Sequence, residues 1–142
     1  MIYISFINND RVPTLKHKQQ LKKFIEKLFI HEKTTLKSLS YIFCSDDYLL
    51  QVNKNFLKHN YYTDVITFNF NEPKNPVEGE VYISVDRVKE NAKDLNTSFK
   101  KELHRVIFHA ALHLCGYNDK KSRQVILMRK KEDEYLEKYF KK

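Results

Sequence analysis

Residues His109 to Asp119 read H-A-A-L-H-L-C-G-Y-N-D, and this run constrains the fold more tightly than any other part of the chain. The period of an α-helix places side chains four apart on one face, so a helix over Leu103–Leu114 brings His109 and His113 one above the other. The same helix carries an apolar stripe of Leu103, Ile107, Ala110, Ala111 and Leu114 at helical spacing, with two alanines that let a neighbouring element approach closely. It is therefore a central helix with two imidazoles at the edge of its buried face. Alone, H-x-x-x-H also suits two hydrogen-bonded core histidines, but here Gly116 follows and can take the left-handed conformation that reverses the chain. Asp119 is thereby returned toward His109 and His113. Asp119 also suits the N-cap of the next helix, yet Ser122 competes for that place. Two imidazoles and a carboxylate with a coordination position left for water describe a catalytic zinc site rather than a closed structural one.

Flanking patterns predict an α+β order. Ile2, Ile4 and Phe6 alternate as in a first strand, and Pro13 opens a segment with Leu21, Phe24, Ile25 and Leu28 at helical spacing. Leu39, Tyr41 and Phe43 predict a second strand, followed by Asp46 and Asp47 as caps of a short helix through Leu50 to Phe56. Ile66, Phe68 and Phe70 alternate, as do Val81, Ile83 and Val85. Residues Asn71 to Gly79, with Pro73, Pro76 and Gly79, connect the two as hairpin strands. A helix capped by Ser84 or Asp86 then runs to about Leu95, followed by the histidine helix and a last helix from about Ser122 to Phe140. The expected architecture is a mixed sheet of about four strands packed with about five helices, the metal site lying at the end of a central helix.

The 142 residues, 42% of them hydrophobic with ten Phe and nine Tyr, suffice for one domain with a real core. Two Gly and three Pro leave no linker or repeat in evidence. Met1 to Asn9 lacks a basic leader and a cleavage site, and no run reaches the roughly 18 apolar residues that span a bilayer, so the expectation is a cytoplasmic protein without membrane association. Cys44 and Cys115 form no C-x-x-C motif and read as small buried apolar residues in a reducing compartment. The net charge of +8 favours a polyanionic partner such as RNA or DNA, although a lysine-biased solvated surface accounts for it equally well.

The spacing also matches metzincin proteases up to position 110, where the glutamate that handles protons in peptide hydrolysis is replaced by Ala110. Met128 sits at helical spacing and reads as core packing, not as a Met-turn. Without that carboxylate, the site suits a phosphodiester better, because an ion neutralises phosphate charge and acidifies water.

His109 to Asp119 resembles the signature H-G-x-L-H-L-x-G-Y-D-H of the YbeY-type endoribonucleases, with Leu112, Leu114, Gly116 and Tyr117 in register. Asn53 and Tyr62-Thr63-Asp64-Val65-Ile66-Thr67-Phe68 are similar to the family's upstream segments, and Gly79-Glu80-Val81-Tyr82-Ile83-Ser84 to its G-[DE]-I-x-I-S strand. The resemblance implies a cytoplasmic, zinc-dependent, single-strand-specific endoribonuclease. It would act on ribosomal RNA, in small-subunit maturation and ribosome quality control. On that reading His109, His113 and Asp119 hold one zinc ion and a water on it is the nucleophile or acid/base relay, with no general base assigned; two histidines and a carboxylate also resemble the facial triad of non-haem iron enzymes, so the ligands alone leave other divalent metals open.

Three departures from the family pattern stand out: Asp119 in place of histidine, Leu57 in place of a basic residue, and Ala110 in place of glycine. Lys58 or His59 are candidates for the missing phosphate contact, Tyr62, with Tyr61, for stacking on unpaired bases, and Asp64 for orienting a ligand or water. The basic residues Arg129, Lys130, Lys131, Lys141 and Lys142 alternate with acids and read as an ordinary charged helix face. His17 and His31 read as exposed, and His104 lies more than a turn from the site. A non-catalytic RNA-binding assembly factor with a structural metal, and a metzincin-like protease, are the alternative functions.

Overall fold

Residues 1–141 are described by a computed structural model; Lys142, named above with the basic helix face, lies outside the described residues. The strands are β1 (Tyr3–Asn8), β2 (Leu36–Cys44), β3 (Val65–Asn69) and β4 (Val77–Ser84), and the helices are α1 (Lys18–His31), α2 (Asp46–Leu57), α3 (Val85–Asp94), α4 (Phe99–Leu114) and α5 (Ser122–Phe140). They form one mixed sheet in the order β1-β2-β4-β3. β1, β2 and β4 are parallel, and β3 is an antiparallel edge. The expected α+β architecture is thus met in strand number, helix number and the β3–β4 hairpin. Among the described residues, no helix is long and apolar enough to cross a membrane.

Strand alternation divides the sheet into two packed faces. Leu39, Tyr41, Phe43, Val81 and Ile83 join the main core with α1, α4 and α5, whereas Cys44 and Ile66 meet Leu49 and Val52 of α2 on the other face. α4 is the central helix, with Leu103, Ile107, Ala110, Ala111 and Leu112 all fully buried. Tyr41 pins it to the sheet by donating its hydroxyl to the Ile107 carbonyl at 3.0 Å. Gly79 of β4 makes room for the end of this helix: a Cβ there would stand 2.9 Å from Leu114 Cδ1 and 3.0 Å from Leu39 Cδ1.

Several boundaries differ from the sequence expectation. α1 starts at Lys18 and not at Pro13, because His17 adopts φ 57, which a right-handed helix cannot pass through. Ser45 caps α2 by accepting from Tyr48 N at 3.1 Å, so Asp46 and Asp47 fall in the first turn. Ser84 caps α3 through Arg87 N, which makes Val85 the first residue of a helix instead of the last of a strand. α4 begins a turn earlier than expected, at a cap made by Ser98, and α5 is capped at Lys121 and not at Ser122. Cys115 is half-buried, not buried like Cys44. Burial drives both thiols up to about 12, so neither is a thiolate at neutral pH.

Candidate functional site

α4 carries the two histidines into a cleft of about 330 Å³ whose far wall is the free side of β3 and the segment from Leu57 to Asp64. His109, His113 and Asp119 all line it. His109 stands between two carboxylates, with Nδ1 2.6 Å from Glu132 Oε2 and Nε2 3.3 Å from Asp119 Oδ2. One turn on, His113 Nδ1 donates to the Tyr117 carbonyl at 3.0 Å. This second contact depends on the turn after α4. Gly116, at φ 105, reverses the chain, and Tyr117 N returns to Leu112 O at 3.1 Å. The Tyr117 ring is anchored in turn, since its hydroxyl donates to Glu32 Oε1 at 2.7 Å and Glu32 also accepts from Tyr135.

Burial would lower the affinity of His109 for a proton, but the hydrogen bond and charge of Glu132, with Asp119 and Asp64 behind it, more than offset this and hold its pKa above the ordinary histidine range. Asp64 behaves in the opposite way to a surface aspartate: burial lifts its pKa, against the opposing charge of His109. Its Oδ2 accepts from Asn91 Nδ2 of α3 at 3.2 Å. A second chamber of about 260 Å³ between α4 and α5 meets the cleft at Asp64, His109 and Asp119. Glu102 and Arg105 line this chamber. Glu102 Oε1 is buried without a hydrogen bond, 3.6 Å from Arg105 Nε, and burial raises its pKa despite that charge.

The donor set fits a divalent cation. Each histidine has Nδ1 fixed by an oxygen acceptor, the arrangement that orients an imidazole ligand and leaves Nε2 for an ion. Among the described residues, however, no three His, Cys, Asp or Glu side chains form a ready-made ion cage. His109 and Asp119 are in contact, and His113 lies one turn along the same wall.

The other sequence candidates divide. His59 and Asp64 line the cleft, whereas Lys58 and Tyr62 do not. Lys58 is exposed at the end of α2 with φ 60, and Tyr62 is exposed against Asp47, with the Arg87 guanidinium 5.5 Å from its ring centroid. His59 is held by Tyr61, whose hydroxyl is hydrogen-bonded with His59 Nδ1 at 2.8 Å and whose ring stacks at 5.1 Å. Buried Asn53 fixes this loop by donating to Tyr61 O at 2.9 Å. Leu57, one of the departures noted above, lines the cleft, and so does Lys120. Ala110 is fully buried in the core, so even a longer side chain there would start from the wrong face of α4 for the protease role.

Glu132 escaped the sequence reading because it sits in a run of charges. It is only 4% exposed, which corrects the reading of that run as a wholly solvated face. Its spacing was the available signal, since Met128, Glu132, Tyr135 and Leu136 share one buried face of α5. Asn91, Arg105 and Lys120 carry no comparable pattern.

The chain resembles known proteins over nearly its whole length. A family model described as Endoribonuclease YbeY matches residues 3–140. The chain is 45% identical over 133 residues to the endoribonuclease YbeY of Cytophaga hutchinsonii, covering 94% of this chain and 93% of the relative. It is 44% identical over 131 residues to that of Christiangramia forsetii, covering 92% and 90%. The solution structure of TM1509 from Thermotoga maritima superposes with a TM-score of 0.61 at 31% identity, covering 99% of this chain and 89% of that one.

Proposed function

The chain belongs to the YbeY endoribonuclease family, and from that premise we propose that it is a zinc-dependent hydrolase of the cytoplasm that cleaves single-stranded RNA during maturation of small-subunit ribosomal RNA. The observation that carries the reading is the pair of imidazoles with both Nδ1 atoms tied, lining one cleft with Asp119. His109 Nε2, His113 Nε2 and the Asp119 carboxylate are the groups that would hold the ion. When bound, it supplies charge neutralisation at a phosphate and increased acidity of water.

The remaining work falls to the chain. In phosphodiester hydrolysis a water loses a proton, its oxygen bonds to phosphorus, and the ribose oxygen leaves with a proton. Asp64, half-buried where the two chambers meet, is placed to take the proton from the water on its carboxylate. His59 lies on the facing wall with Nδ1 beside the Tyr61 hydroxyl; as the imidazolium, donating Nδ1–H to that oxygen, it gives the leaving ribose oxygen a proton from Nε2 and is left neutral. Lys120 offers a cation to the phosphate where Leu57 offers none. The exposed, stacked rings of Tyr61 and His59 suit unpaired bases, which favours a single strand over a duplex.

The test uses end-labelled single-stranded and duplex RNA with purified protein. Single strands should be cut and duplexes spared, chelation should abolish cutting while circular dichroism is retained, and zinc should restore it. Asp119→Ala should lose bound zinc and cleavage together without unfolding, because Asp119 lies on an exposed loop. Full zinc occupancy in that variant by elemental analysis would remove Asp119 from the ligand set. Unfolding on chelation would favour a structural metal.

A further inference from the structure

β3 is the last strand of the sheet, so among the described residues one of its edges has no partner strand. Register decides which backbone groups that edge presents. Ser84 N donates to Asp64 O at 2.9 Å and Phe70 N to Glu78 O at 2.9 Å, which makes 64/84 and 70/78 hydrogen-bonded pairs of the antiparallel ladder. Alternation makes Ile66/Tyr82 and Phe68/Glu80 pairs of the same kind. Val65, Thr67 and Asn69 then direct their N–H and C=O groups away from β4. Val65 and Thr67 also line the cleft that holds His109 and His113. An unpaired peptide edge thus runs beside the hydrolytic centre, a place where exposed backbone donors and acceptors either find a ligand or are wasted on water.

We propose that this edge is a rail for the substrate strand, with the Thr67 amide donating to a phosphate oxygen and the Thr67 carbonyl accepting a ribose 2′-hydroxyl. The inference rests on the RNA reading above. It commits to RNA over an added peptide strand because the same cleft offers Lys120 for a phosphate and the stacked His59–Tyr61 rings for bases, on a chain of net charge +8. Contacts made by backbone groups carry no base information, so the rail holds unpaired RNA of any sequence.

Amide hydrogen exchange of the zinc-loaded protein tests this directly, with and without a saturating short unpaired oligoribonucleotide made hydrolysis-resistant by phosphorothioate linkages. Exchange at Thr67 should slow by about tenfold, the scale expected of a new hydrogen bond to a charged acceptor, while Ile66 and Phe68, already in the ladder, change little. As a second arm, Thr67→Pro removes the outward N–H without removing a ladder bond, and Thr67→Val keeps it. The proline variant should bind the oligonucleotide about tenfold more weakly than the valine variant, by the same hydrogen-bond reckoning; if it does not fold, the exchange experiment decides. Binding with Thr67 exchanging as fast as in the free protein overturns the rail alone. Failure of the wild type to bind RNA overturns the RNA reading and the rail with it. Protection by an extended peptide but not by RNA overturns the rail and assigns the edge to a protein partner.

Discussion

At the scale of single residues, His109 owes its orientation to Glu132, a group 23 residues away in sequence and 2.6 Å away in space. Outer partners of this kind fix which ring nitrogen is free for an ion, and their loss costs about 10–100-fold in metal affinity. Glu132→Ala should therefore weaken zinc binding by about that factor in competition with a chromophoric chelator, whereas Glu132→Gln, which keeps an acceptor, should lose less. Equal affinities in wild type and the alanine variant would remove Glu132 from the account. The alanine variant should also be less stable, because Arg105, 14% exposed, loses its contact with Glu132 Oε1 at 3.2 Å. That His109, His113 and Asp119 share one cleft was legible from spacing, because they are local in sequence. Glu132 and Asn91 come from other helices, and their proximity depends on tertiary packing that no local pattern encodes. Lys58 and Tyr62 stand on the correct segment, but a left-handed turn and an anchor on Asp47 keep both off the cleft lining.

At the scale of elements, the site depends on how closely α4 approaches the sheet. Gly79→Ala would set a Cβ 2.9 Å from Leu114 Cδ1, just before the turn that carries Asp119. The expected cost is about 1–3 kcal/mol, as for other overpacked interiors, read as a lower urea midpoint; an unchanged midpoint would mean that the leucines yield freely. Strands were the most legible elements, since alternation of Ile66 with Phe68 and of Val81 with Ile83 states both period and buried face. Helix starts were less so. Three of them are decided by a serine one residue before the helix, and α1 is decided by the left-handed His17, which the apolar pattern alone could not locate.

At the scale of the whole molecule, Glu32 ties the end of α1 to the turn after α4 and to α5 through Tyr117, Tyr135 and Lys131. Burial pushes its carboxyl pKa up, but the two tyrosine hydroxyls and the Lys131 charge more than offset this and hold it below the usual glutamate range. A carboxyl depressed in the folded state contributes stability that is present above its unfolded pKa and lost as pH falls through its folded pKa. Wild type should accordingly lose stability over that acid interval more steeply than Glu32→Gln, and parallel pH profiles of the urea midpoint would contradict this. The fold as a whole was legible because helix and strand periods alternate clearly along the chain, while the joining of two chambers at His109 was not. The proposed zinc site would hold a single divalent ion between two imidazoles and one carboxylate, those of His109, His113 and Asp119. X-ray absorption at the zinc edge of the loaded protein tests it most directly: one zinc per chain, with an oxygen and nitrogen shell and outer scattering from two imidazoles, is the predicted result. A sulfur shell drawn from Cys115 or Cys44, or no stoichiometric zinc at all, would contradict it.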